Sequence, residues 1–188
     1  MMGQAVKRLE QKNATSNTQR CVSFSETPLE FVHLLVGAIE GRRCAFEPYG
    51  IAIPKRLGRG KGINPVWYID ISPGHDWLTV PFNTLIDAAI DTGQFDATDI
   101  GRLSPFVEQM GTGSSYVKEF WWEREWRHCG DFALPDRVIC LCPEAEIPEI
   151  QTVVQAAGDD AAFLDPYWSL EEIISHLAGF AENDVRVV

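Results

Sequence analysis

The sequence has no run of about 18 apolar residues, so it offers no bilayer-crossing helix, and its N-terminus lacks the apolar core of a signal peptide; both point to the cytoplasm. It has no GxGxxG turn after a first strand, no GxxxxGK[ST] loop, and neither GxSxG nor HExxH, which leaves Rossmann, P-loop, α/β-hydrolase and zincin chemistry without a motif. No internal repeat or low-complexity tract is present, and no CxxC pair. Basic residues are scarce: 16 Lys and Arg stand against 27 Asp and Glu, a formal net charge of −11. A bulk charge of that sign opposes broad, non-specific binding to nucleic acid or anionic membrane.

What is present suits a soluble α+β domain. The 188 residues are 45% hydrophobic and 23% charged, with six Trp, ten Phe and four Tyr to fill a core. The five cysteines (Cys21, Cys44, Cys129, Cys140 and Cys142) form an odd set. A zinc site can be drawn from Cys140, Cys142, His128 and Cys129, but buried free thiols fit the spacing better. His33, His75, His128 and His176 show no metal-ligand spacing.

The periodicities predict a helix over residues 3–13, a strand over 19–25, and a helix over 28–41 with Thr27 as N-cap and Pro28 at its first position. Strands follow over 44–53 and 65–71, with a Gly-rich basic segment between them. Residues 81–110 read as two helical pieces and GTGSS (111–115) as a flexible break. Residues 116–129 and 136–142 read as a hairpin around Asp131–Pro135. A helix, a short strand at 161–165 and a last helix close the chain, the last with Ser169 and Glu172 at capping-box spacing. The fold class is therefore α+β, a central, mostly antiparallel sheet with flanking helices. Its core is expected over residues 1–142, with an acidic extension over 143–188 packed on it. The first part carries 15 basic and 17 acidic residues and the second one basic and ten acidic, so the acidity belongs to the extension.

Three clusters could carry chemistry. On a regular strand Glu123, Glu125 and Arg127 share one face, an array suited to general acid–base work or to gripping a polar ligand; an exposed strand face with a Glu–Arg pair is the plainer alternative. Arg20, Ser23, Ser25 and Glu26 line a strand and its exit toward a helix start, where an anion can be held, although capping accounts for the same residues. Arg42, Arg43, Lys55, Arg56, Arg59 and Lys61 crowd a short stretch and mark either a nucleotide or nucleic-acid partner or a solvated loop.

The segments VSFSETPLEF, FEPYGIAI, GINPVWYID and FWWEREWR, in that order over about residues 20–142, resemble the abortive phage resistance AbiGi-type family of bacterial proteins. The resemblance implies a phage-defence role as a non-catalytic, antitoxin-like partner of a toxin or effector protein. It leads us to expect an upstream strand with a His/Thr segment, and the sequence ahead of Gln19 reads as helix instead. A more distant resemblance, to ADP-ribosyltransferases, rests on Arg20, Ser23/Ser25 and Glu123/Glu125 in the same chain order. It implies NAD as cofactor, Glu125 and Glu123 as catalytic residues, and Arg20, Ser23, Ser25, Tyr49 and Arg127 as cofactor-binding ones. In that reading Arg20 holds a phosphate, a serine orients the Glu pair, and Glu125 stabilises the oxocarbenium-like ribose.

Overall fold

The computed structural model describes residues 4–179 apart from 41, 43, 44 and 76. In chain order the elements are α1 (Gln4–Gln11), β1 (Cys21–Ser25), β2 (Gly50–Ala52), α2 (Lys55–Gly60), β3 (Asn64–Pro65), β4 (Trp67–Asp70), α3 (Thr79–Asp91), α4 (Asp99–Leu103) and β5 (Val107–Gly113). They continue with β6 (Tyr116–Lys118), β7 (Glu125–Cys129), β8 (Arg137–Leu141), α5 (Ile147–Ala156), β9 (Asp160–Leu164) and α6 (Leu170–Ala178). The fold is α+β. Its strands form three three-stranded sheets, ordered β1-β7-β3, β2-β8-β9 and β4-β5-β6. Among the described residues four of the six strand pairings are antiparallel, and β4–β5 and β8–β9 are parallel. No helix among the described residues is long and apolar enough to cross a membrane.

The chain divides into two compact units. The first takes residues up to Glu26, Glu40–Arg43 and Lys55–Ala133; the second takes Thr27–Ile39, Cys44–Pro54 and the chain from Leu134 onward. In the first unit, helical spacing puts Ala5 and Leu9 on one side of α1 and Ile86 and Ala89 on one side of α3, and these pack with Phe95 into a buried core. Arg8 of α1 bonds Asp87 of α3, and Lys12 reaches Asp91 at 2.6 Å, along the edge of that contact. Gly101 in α4 sits so close to the Phe95 carbonyl that any Cβ there would overlap it. In the second unit α6 starts with the full capping box: Ser169 Oγ accepts from the Glu172 N–H, and the Glu172 carboxylate accepts from the Ser169 N–H at 2.7 Å.

Several local expectations are corrected. The helix expected over 28–41 is a 3₁₀ segment, Leu29–Leu35, whose cap position is Pro28 with no capping side chain. None of its residues is buried, so no core face rewards a longer helix, and Gly37 turns away at φ +88° to bridge Phe46. The second helical piece expected before residue 110 ends at Leu103; Pro105 interrupts it, and Val107–Gly113 becomes the middle strand of a sheet. GTGSS is the end of β5 and its turn into β6, which closes a hairpin with Gly113 opposite Tyr116. The hairpin expected between residues 116–129 and 136–142 does not form: β7 pairs with β1 and β3, and β8 with β2 and β9.

Candidate functional site

Strand β7 is the middle strand of the first sheet, and its neighbours come from the other two distinctive segments of the first unit: VSFSE supplies β1 and GINP supplies β3. The FEPYGIAI segment supplies β2, in the second unit. Three of the four segments that carry the resemblance thus each contribute a strand to this sheet.

Register fixes which side chains meet. The Gly130 N–H donates to the Arg20 carbonyl at 2.7 Å, and the Glu26 N–H donates to the Arg124 carbonyl at 3.2 Å. In an antiparallel ladder hydrogen-bonded and non-hydrogen-bonded pairs alternate, so Cys21/Cys129, Ser23/Arg127 and Ser25/Glu125 are the non-hydrogen-bonded pairs, with their side chains on one common face. Across this face Ser23 Oγ donates to Glu125 Oε1 at 2.8 Å.

Arg127 is the centre of the cluster. Its Nε and one terminal nitrogen hold both Glu125 oxygens at 2.8 and 3.0 Å, the same nitrogen holds Glu108 at 2.7 Å, and the other holds the Pro105 carbonyl at 2.7 Å. Glu108 is wholly buried because β5 is covered on both faces, and Lys118 of the adjoining strand pairs with it at 2.6 Å. Burial works against the Glu108 carboxylate, but Lys118 and Arg127 outweigh it and hold Glu108 below the ordinary glutamate range. Burial likewise disfavours the Arg127 cation, and the bonds and charges of Glu125 and Glu108 overcome it, raising Arg127 above its usual value. Tyr68, on β4, is pushed up to about 12 by burial and by the charges of Glu125 and Glu123.

Glu123 leaves the array expected of it. Residues Trp121–Glu123 form a 3₁₀ turn closed by Arg124 in the left-handed region, φ 50° and ψ 53°, a conformation that costs a non-glycine residue about 1–2 kcal/mol. Strand alternation therefore starts only at Glu125. Glu123 meets Arg42, whose side chain is buried and whose Nε and terminal nitrogen lie 3.2 and 2.5 Å from Glu123 Oε1. The two carboxylates accordingly have separate cationic partners. Ser25 Oγ donates to the Glu123 carbonyl at 2.6 Å. Glu26 holds Lys55, Arg124 at 3.2 Å and the Trp126 indole N–H at 3.0 Å, with the Lys55 ammonium 4.8 Å from the Trp126 ring centre. The Lys55 bond is the largest cause holding Glu26 below the glutamate range, ahead of the Trp126 bond and the Arg124 charge.

The remaining candidates lie elsewhere. Arg20 is an exposed side chain 4.0 Å from Asp131, and it precedes the Cys21/Cys129 end of the ladder, whereas Glu125 lies at the Ser25 end. Five residues of strand put it about 16 Å away along β1. Tyr49 belongs to the second unit, where its hydroxyl donates to Glu146 at 2.9 Å. Of the basic cluster, Arg42 and Lys55 are paired as above, Lys61 sits 5.7 Å over the Phe132 ring, Arg56 and Arg59 are exposed on α2, and Arg43 lies outside the described residues. Among the described residues no group of three or more His, Cys, Asp or Glu is arranged to hold a metal ion. Glu108, Lys118 and Tyr68 escaped the sequence reading. For Glu108 the available signal was its place one residue beyond Val107, the first residue able to resume a strand after the 104–106 break, and a helical reading of that stretch hid it.

The chain matches no protein-family model, no curated protein and no solved structure.

Proposed function

We propose that this chain acts in the cytoplasm as a non-catalytic partner module of the abortive-infection type, engaging a toxin or effector protein. One observation carries the reading: each carboxylate of the β7 segment is bound by a cation of the chain itself, Glu125 by Arg127 and Glu123 by Arg42. A catalytic carboxylate must meet substrate, and Arg127 closes both Glu125 oxygens. The signature residues then hold a sheet together, and the partner meets the exposed surface. Exposed Arg56 and Arg59 of α2 give that surface a cationic contact for an anion, whether on an acidic protein or a nucleic-acid phosphate. Co-expression with the product of the adjoining gene tests this: the chain rescues growth when that product arrests it, and Glu125→Gln, provided it folds, rescues equally well. Failure of the wild-type chain to relieve the arrest overturns the reading.

The 2.8 Å bond from Ser23 to Glu125 favours a second reading, an ADP-ribosyltransferase-like enzyme in which the serine orients the catalytic Glu. Incubation with labelled NAD separates the two. Label transfer by the wild type that Glu125→Gln abolishes establishes the enzyme, and no transfer by either supports the partner module.

A further inference from the structure

Cys21 and Cys129 face each other across the β1–β7 ladder, with their sulfurs 3.7 Å apart and both residues half-buried. Their position is a non-hydrogen-bonded one, flanked by the Arg20–Gly130 backbone bond. At such positions the Cα atoms of an antiparallel pair lie about 4.5 Å apart, at the short end of the roughly 4.4–6.8 Å that a disulfide spans. The pair also shares its face with Arg127 and Glu125, two and four residues before Cys129 on β7.

We infer that Cys21 and Cys129 form a thiol–disulfide site, oxidised by a low-molecular-weight disulfide of the glutathione class to a single cross-strand bond between β1 and β7. In the first step the Cys129 thiol loses its proton and its sulfur attacks one sulfur of oxidised glutathione. The glutathione S–S bond breaks, and one glutathione leaves and takes up a proton. The Cys21 sulfur then gives up its own proton and attacks the Cys129 sulfur of the mixed disulfide, and the second glutathione leaves as a thiol. Two protein thiols and one oxidised glutathione yield one protein disulfide and two reduced glutathiones, two electrons passing from protein to glutathione. Burial, with Cys129 beside it, pushes the Cys21 thiol up to about 12, while Arg127 acts in the opposite direction. In the second step the resolving sulfur lies 3.7 Å from its target, and that proximity replaces thiolate concentration.

The bond ties the free end of the ladder, next to Arg20 and Gly130, to the same sheet face that Arg127 organises. It is formed and removed under control of the thiol poise of the surroundings, independently of the partner or enzyme readings above.

The test uses the purified full chain in buffers spanning reduced to oxidised glutathione, quenched with an alkylating agent and read by peptide mass spectrometry. The expected product is one linked peptide pair joining Cys21 to Cys129, with the loss of two hydrogens, restored to free thiols by dithiothreitol. Cys21→Ser leaves glutathione held on Cys129, Cys129→Ser abolishes the link, and Cys140→Ser leaves it unchanged. In guanidinium, where the ladder is gone, the preference for this pair over links to Cys44, Cys140 or Cys142 disappears. The inference is overturned if native protein in the most oxidising buffer retains both thiols free to alkylation, carries glutathione on both without a link, or links other cysteines instead.

Discussion

Replacing Arg127 by Met tests the claim that the β7 cluster is structural. The side chain is 9% exposed and makes four hydrogen bonds, to two carboxylates and one carbonyl. Met fills much of the same volume and supplies none of the donors. Glu108, with no exposure at all, is left with Lys118 as its one cationic partner and with the Gln109 N–H, Glu125 keeps the Ser23 bond, and the Pro105 carbonyl loses this donor. Removing one member of a buried ion pair costs about 3–5 kcal/mol, because the surviving charge stays desolvated. Tryptophan fluorescence in a urea titration reads this directly. Five of the six tryptophans, Trp67, Trp77, Trp121, Trp122 and Trp126, belong to the first unit, so the signal is dominated by the unit that holds the cluster. With a slope of about 2 kcal/mol per molar urea, a loss of about 4 kcal/mol moves the midpoint down by about 2 M at unchanged slope. Arg127→Lys restores the charge without the planar fork and recovers only part of the loss, since one ammonium cannot span both carboxylates and the carbonyl. A loss below about 1 kcal/mol in Arg127→Met, the value of an exposed pair, would refute the structural account and reopen Glu125 as a group free to do chemistry.

Acid should weaken the first unit. Glu108 is held below the ordinary glutamate value, so its contribution is fully present above about pH 4.3 and is lost as pH falls through the depressed folded value; Glu108→Gln should flatten that slope in fluorescence-monitored titrations between about pH 5 and 3. Gly101→Ala should cost about 3 kcal/mol, because the new methyl meets the Phe95 carbonyl and backbone must shift, and a denaturation midpoint equal to wild type would contradict the packing. Ser169→Ala should cost about 1 kcal/mol through loss of the capping box; Trp168, one residue before the cap, reports it, and unchanged unfolding of that signal would show that the cap carries no stability.

Features set by near neighbours could be read from the sequence, and those set by distant partners could not. The Ser169–Glu172 box, β1 over Cys21–Ser25 and β9 over Asp160–Leu164 follow from spacing within a few residues. Alternation in Glu125–Cys129 correctly makes a strand, but it assigns a face and not a neighbour. The nearest later strand was the natural choice, whereas the ladder runs to residues some hundred positions earlier, Ser25 opposite Glu125. The shared face assigned to Glu123 failed for a different reason. Arg124 adopts a left-handed turn that no composition rule flags, since Arg is not a residue that favours it. Glu108 was hidden because Val107–Met110 contains good helix formers, and only pairing with Trp67–Asp70 makes it a strand.

Each acidic side chain of this region has a cationic partner within the chain. Glu26 meets Lys55, Glu123 meets Arg42, and Glu125 and Glu108 meet Arg127 and Lys118. Two of these ties, Glu26–Lys55 and Glu123–Arg42, join segments far apart in sequence, and a third brings β5 against β7. Strands β1 and β3 are five and two residues long, too short for backbone bonds alone to fix their register against slippage. The Glu26–Arg124 pair and the Ser23–Glu125 bond, which run between the β1 and β7 segments, are satisfied in one register only, because a one-residue slip sends each side chain to the opposite face. Buried ion pairs add little net stability, but they penalise every wrong alignment by leaving a charge unpaired. The Ser23–Glu125 bond and the Glu26–Arg124 pair thus favour one alignment of the short strand β1 against β7.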